Sequence, residues 1–177
     1  RWDQMAPDLT GYRDTHFGYV AASSVWRYRM NLRTGRVQSE ELSGLPSEYP
    51  RGNDARSIHA HRYSYLVVNP AEEMPGLHRA VQSLDLKTGQ SRVFDFGVGH
   101  ACQEPVFVPD PARTGQADNS GWLMGYVYDS SQRQTHCYII DAQHVEDGPV
   151  CLLHMPSHVG FTFHGTWHPA PGGIQAG

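Results

Sequence analysis

Three residues of this 177-residue chain stand at a spacing that suggests shared chemistry: Glu48, Glu104 and His164. They lie in "SEYPR", "QEPVFVPDP" and "FTFHGTW", with 56 residues from the first to the second and 60 from the second to the third. If the chain repeats with that period, the three occupy the same place in successive units and converge on one point. A histidine facing carboxylates suits a metal site. One ring nitrogen binds the ion, and the carboxylate takes the other N–H, fixing the tautomer and raising the basicity of the ligand. Carboxylates gathered at such a point are costly to bury unless they are paired or hydrogen-bonded. The plainer alternative is that Glu48 and Glu104 are strand-end carboxylates near turns and His164 is a hydrogen-bonded core histidine. Spacing alone leaves both open.

The elements that must position these residues do repeat. "VWRYRMNLRTGRVQSEEL" (25–42), "AVQSLDLKTGQSRVFDFG" (80–97) and "CYIIDAQHVEDGPVCLLHMP" (137–156) each run from an alternating apolar strand through a polar residue to a turn glycine and a second strand. That is the signature of a β-hairpin. The turn glycines Gly35, Gly89 and Gly148 are 54 and 59 residues apart, which leaves room for two more strands per unit. "HRYSYLVVN" (61–69) and "GWLMGYVYD" (121–129) fill one place, and "SEYPRGN" (47–53) and "CQEPVFVPDP" (102–111) the other. Four strands per unit with almost no helical periodicity predict an all-β fold, part of a β-propeller. Units are expected at about 47–97 and 102–156, with a closing strand at 160–169 and flanking strands, all within one domain fragment spanning 1–177. The first strand of each propeller blade lines the axis, which is where Glu48, Glu104 and His164 would meet.

Composition excludes other classes. The formal charge of −4 and pI near 6.2 give no basic face for nucleic acid. Apolar runs such as "YLVV" (65–68) fall far short of the roughly 20 residues that span a bilayer, so no spanning segment is expected. Three cysteines without C-x-x-C spacing suggest neither a zinc knuckle nor a disulfide framework, and fit a reducing, cytoplasmic location. Nucleotide-binding glycine loops, catalytic Ser or Cys motifs and an HExxH helix are missing from the sequence. The first residues, "RWDQMAPDLTGYRD", have no signal-peptide character and read as the middle of a longer protein.

The motifs around Glu48, Glu104, Gly121 and His164, taken in order over about 120 residues, resemble the C-terminal motifs of the carotenoid cleavage oxygenases, which include the lignostilbene dioxygenases. The resemblance runs from Val25 to Pro169. It implies a seven-bladed propeller, of which this chain holds about two full four-stranded blades, with one non-haem Fe(II) held on the axis by four histidines. By the same resemblance His164 is the last of these ligands, and Glu48 and Glu104 are two of the glutamates that orient the ligand imidazoles. The implied reaction uses O2 to cleave a carbon–carbon double bond of a small apolar conjugated substrate, a carotenoid, apocarotenoid or stilbene, into two carbonyl products. Four neutral imidazoles suit iron and leave an open face for O2. Peripheral membrane contact is compatible with such a substrate.

The other three ligand histidines are expected upstream of Arg1, and none of the remaining ten histidines substitutes for them. His59 and His61 would share one face of a strand roughly 7 Å apart, but "SIHAHRYSY" reads as the start of an ordinary strand. Successive members of the series His154, His158, His164 and His168 are four or more residues apart, about 13 Å or more in extended chain. Phe161, Phe163 and Trp167 alternate onto one face and are expected to pack between blades, with Phe163 also a candidate for lining the substrate tunnel. Cys102 reads as a small buried hydrophobe. The competing function is a noncatalytic propeller binding module or a degenerate relative. The isolated chain is expected to be inactive.

Overall fold

The hairpin signals in the sequence correspond to hairpins in the structure, a computed structural model that describes residues 23–70, 77–113 and 117–169. Strands β1 (Val25–Met30) and β2 (Val37–Ser43) pair antiparallel, as do β5 (Ala80–Asp85) with β6 (Ser91–Asp95) and β10 (Gln134–Asp141) with β11 (Pro149–His154). Side-chain chemistry closes the turns. Asn31 Oδ1 accepts from the backbone N–H groups of Arg33 and Thr34, and Asp85 Oδ1 accepts from those of Lys87 and Thr88. Gly35 and Gly89 then take φ of 68° and 76°, a region in which a Cβ would be strained. The third hairpin turns through a short 3-10 segment, Val145–Asp147, before Gly148 at φ 82°.

Two sheets follow one another along the chain. The first runs β3 (Ser47–Arg51), β4 (Tyr63–Val68), β5, β6, each strand hydrogen-bonded to the next. In the second, β9 (Gly121–Asp129) pairs with β10, which pairs with β11. On its inner side β9 carries two short strands, β7 (His100–Cys102) and β8 (Val106–Pro109). These are the up-and-down four-stranded sheets of propeller blades, the innermost strand of the second being broken at residues 103–105.

Alternation along β4 and β5 explains how the layers stack. Tyr65, Val67 and Val81 point one way, into a core shared with Cys102, Phe107, Leu123, Val127, Tyr138 and Ile140 of the second sheet. Tyr65 and Phe107 stack there with ring centroids 5.8 Å apart. Leu66, Val68, Ala80 and Leu84 point the other way and meet Val25, Leu42 and Leu45 from the β1–β2 side. The first blade is therefore covered on both faces, which is why "YLVV" reads as an unbroken apolar run. Each fully buried Val, Leu or Ile among them contributes roughly 1.5–3 kcal/mol.

Beyond Met155, whose N–H still donates to the Thr135 carbonyl of β10, residues 156–169 join no strand ladder. The closing strand expected at 160–169 is an extended strap whose backbone bonds go to side chains. Its aromatics are not core residues: Phe161 is 43%, Phe163 63% and Trp167 40% exposed, and Phe161 packs edge-on against Phe163. The alternation expected to bury them needs a sheet on that side, and among the described residues none covers it. Among the described residues no helix is long and apolar enough to cross a membrane.

Candidate metal site

Of the three residues picked out by spacing, Glu104 and His164 come together. Glu104 sits in the break between β7 and β8, where the innermost strand leaves the ladder, and its side chain is 5% exposed. One carboxylate oxygen, Oε2, accepts the Gly165 N–H at 2.8 Å, and the other, Oε1, lies 3.3 Å from His164 Nδ1. The Arg51 guanidinium stands 3.7 Å from the same Oε1. A buried carboxylate surrounded by three donors is satisfied. Because a carboxylate only accepts, Nδ1 of His164 carries the proton in the neutral ring, and Nε2 then keeps its lone pair.

That free edge faces outward. The His164 side chain is 76% exposed, with Tyr49 edge-on to it at 6.0 Å between ring centroids. Tyr49 itself has φ of 55°, uncommon for a residue with a bulky side chain. It lies where β3 slips register against β4 between Glu48 and Arg51. Burial, then the charges of Glu48 and Glu104, push its phenol above the usual range. The two blades thus break their innermost strands next to the same kind of residue, and such irregularities re-aim side chains at sites.

Glu48, next to Tyr49 in sequence, is exposed and accepts from Ser23 Oγ at 3.3 Å. It does not touch His164. Phe163, next to the ligand candidate in sequence, is open to solvent.

The arrangement fits one metal ligand. It has an imidazole whose neutral form is held in one tautomer, a carboxylate behind it and an open nitrogen in front. It does not hold an ion alone, since among the described residues no group of three or more His, Cys, Asp or Glu side chains could do so. His59 and His61 are exposed in a turn ahead of β4, with His61 Nδ1 3.4 Å from the His59 carbonyl. His154 and His158 lie apart from the site: His158 Nδ1 meets Thr135 Oγ1 at 3.2 Å, and His154 Nδ1 lies 3.0 Å from His136 Nδ1. The Cys102 thiol is fully buried, and desolvation pushes it well above its usual range, so it is inert.

Two contributors escaped sequence reasoning. Gln103 is 3% exposed and bonds to the strap through its carboxamide, and Arg51 reaches across from the first blade to Glu104. Adjacency of Gln103 to Glu104 was the only available signal.

Residues 3–169 match the family model for the retinal pigment epithelial membrane protein. The chain is similar to the apocarotenoid-15,15'-oxygenase of Synechocystis sp., with 24% identity over 156 residues, 88% of this chain and 31% of that protein. It is also similar to a carotenoid cleavage oxygenase of Mycobacterium tuberculosis, with 31% identity over 150 residues, 82% of this chain and 29% of that protein. Among solved structures, cobalt-substituted Synechocystis apocarotenoid oxygenase matches with a TM-score of 0.81 at 24% identity, over 89% of this chain and 32% of that one. The chain therefore spans about a third of the length of these relatives, and the fold it shares with them is the propeller. With the motifs, the blades and these likenesses in agreement, the chain belongs to the carotenoid oxygenase family, the family of the retinal pigment epithelial membrane protein.

Proposed function

We propose that this chain supplies one iron ligand, His164, to a non-haem Fe(II) dioxygenase that cleaves a carbon–carbon double bond of an apolar conjugated substrate with O2. The observation that carries the reading is the Glu104–His164 pair, with Nδ1 held by the carboxylate and Nε2 left open. The names of the similar proteins, carotenoid and apocarotenoid oxygenases, support the reaction class and a carotenoid-type substrate. A cobalt-substituted relative supports a metal-dependent site. Three further histidine ligands are expected from outside residues 1–177.

When bound, the iron would supply an open, Lewis-acidic face for O2. The chain's own residues do the rest. Glu104 keeps the Nδ1 proton and thereby the lone pair on Nε2. Arg51 and the Gly165 N–H hold the carboxylate still. Glu48 is assigned the same orienting task toward a ligand from another blade. The exposed aromatics Phe161, Phe163 and Trp167 offer apolar surface on the strap that carries the ligand, against which a polyene or stilbene can lie, with Phe163 lining the tunnel. Three free cysteines, two of them buried, fit the cytoplasmic location proposed with this reading.

Iron content measured after desalting tests the assignment. The 177-residue chain alone should keep no iron. The intact protein that carries it should hold about one iron per site, and His164→Ala should abolish this. Iron unchanged in His164→Ala, or tightly held by the 177-residue chain, would overturn the role given to His164. The rival reading, a noncatalytic module, draws on the lack of a three-ligand cluster among the described residues. It predicts an intact protein without iron.

A further inference from the structure

The strap that carries His164 has no strand partner, yet its backbone is anchored at four places, each by a side chain. The Val159 N–H donates to Thr135 Oγ1 at 3.2 Å. The Gly160 carbonyl accepts from Gln103 Nε2 at 3.3 Å, and the Thr162 N–H donates to Gln103 Oε1 at 3.3 Å. The Thr162 hydroxyl donates to the same Oε1, and the Gly165 N–H goes to Glu104. Gln103 holds two of these four residues, while Thr135 holds Val159 through both its N–H and its carbonyl.

Its bonds have a recognisable form. In a parallel ladder one residue donates its N–H to the carbonyl of residue i−1 and accepts at its carbonyl from the N–H of residue i+1. The Gln103 carboxamide does this around Phe161, donating to Gly160 and accepting from Thr162. A side chain stands in for a missing strand. The Gln103 main chain is itself fixed, since its N–H donates to the Tyr126 carbonyl at 2.9 Å and its carbonyl accepts from Tyr138 Oη at 3.4 Å. Gln103 is 3% exposed, whereas the His164 ring is mostly exposed and makes one long hydrogen bond. The ring cannot hold its own place, so the strap must.

We propose that Gln103 is a positioning residue for His164: its carboxamide clamps residues 160–162 as a surrogate strand and so sets the imidazole over Glu104. The proposal rests on His164 being the ligand, but concerns how it is held. Only glutamine fills the part. Glutamate keeps the acceptor, loses the donor and turns an oxygen toward the Gly160 carbonyl. Asparagine is one methylene short, and methionine matches the length with no polar atom.

The test uses Gln103→Met and Gln103→Glu in the intact protein, with amide hydrogen exchange and 15N-histidine NMR at a pH where the ring is neutral. Wild type should show His164 as a single Nδ1–H tautomer and slow exchange at Thr162 and Gly165. In both variants we expect exchange at Thr162 and Gly165 to rise roughly tenfold or more, as the loss of one or two hydrogen bonds implies, and the His164 tautomer to become mixed. Core amides such as that of Tyr138 should stay protected. If only Thr162 exchanges faster while Gly165 and the His164 tautomer stay as in wild type, Gln103 is a local structural residue and the proposal fails. If Gln103→Met loses core protection, the isosteric Gln103→Glu decides by the same criterion. Both readouts are taken after a chelator has stripped the iron, so this result and the iron measurement on His164→Ala stand or fall separately.

Discussion

Replacing Glu104 by glutamine gives the sharpest test of the site's logic, because the change conserves shape and removes one charge. Glu104 Oε2 accepts from Gly165 and Oε1 faces the Nδ1–H of His164, with Arg51 3.7 Å away. A carboxamide has one acceptor oxygen. If that oxygen stays on Gly165, the amide NH2 faces His164 Nδ1, which must then give up its proton and accept. The proton moves to Nε2 and removes the lone pair that would bind the ion. Loss of a charge-assisted hydrogen bond costs about 1.5–3 kcal/mol. Arg51 keeps Asp54 at 3.3 Å but loses its buried partner, adding a smaller amount. A total of roughly 2–4 kcal/mol corresponds to a fall in Tm of about 5–12 °C for a domain of this size. Metal affinity of the intact protein should drop about 10–100-fold, as for other carboxylates behind a ligand histidine. Thermal denaturation and 15N-histidine NMR read both effects. A melting point unmoved within a degree or so, with His164 still protonated on Nδ1, would show that Glu104 does not set the tautomer.

Three further outcomes follow from other parts of the structure. The buried ring of His136 is held below the usual histidine range, first by desolvation and then by the charge of His154, so the unfolded chain takes up a proton near pH 6.5 that the folded chain resists. Stability should be full above that pH and decline as the pH falls below it, with buried His78 acting in the same direction. Urea midpoints from pH 8 to 5 check this, and a flat profile would contradict it. Gly125→Ala would put a Cβ 2.3 Å from Tyr138 Oη and 2.5 Å from its Cζ, in a ring with no exposure. Overpacking of this kind should cost about 1–3 kcal/mol or more, read as a lower urea midpoint at unchanged slope. Finally, Cys151 is exposed while Cys102 and Cys137 are buried with raised thiol pKa values. A thiol reagent should label one cysteine quickly in the native chain, and Cys151→Ser should remove that phase.

The blades were legible in the sequence because their information is local. Alternation marks the strands, and an Asn or Asp four residues ahead of a glycine marks the turn, as at Asn31–Gly35 and Asp85–Gly89. The pairing of Glu104 with His164 was legible through the repeat, which placed both at one axis without any knowledge of contacts. Glu48 was placed at that axis by the same logic, yet its carboxylate meets Ser23 rather than His164. A repeat gives the layer a residue occupies, not its partner. The closing strand and the burial of Phe161, Phe163 and Trp167 failed for a related reason. Alternation shows which residues share a face, whereas a ladder and a core need a second element, and residues 156–169 have none among the described residues.

The irregular positions were invisible for the opposite reason, and they are the ones that matter chemically. An innermost strand with a full ladder holds its side chains to the two faces of the sheet. By breaking at 103–105, it frees the side chains of Gln103 and Glu104 to bind the strap and the ring instead. The same trade appears at Tyr49, where a left-handed residue and a register slip turn an aromatic edge toward His164 and bring Arg51 to Glu104. Regular sheet supplies rigidity through the Tyr138 and Tyr126 contacts to Gln103, and the break supplies reach. A strap fastened by side chains, unlike a strand fastened by a ladder, can place one imidazole at a chosen height without committing its neighbours. The neighbours stay free, and Phe161 and Phe163 remain exposed.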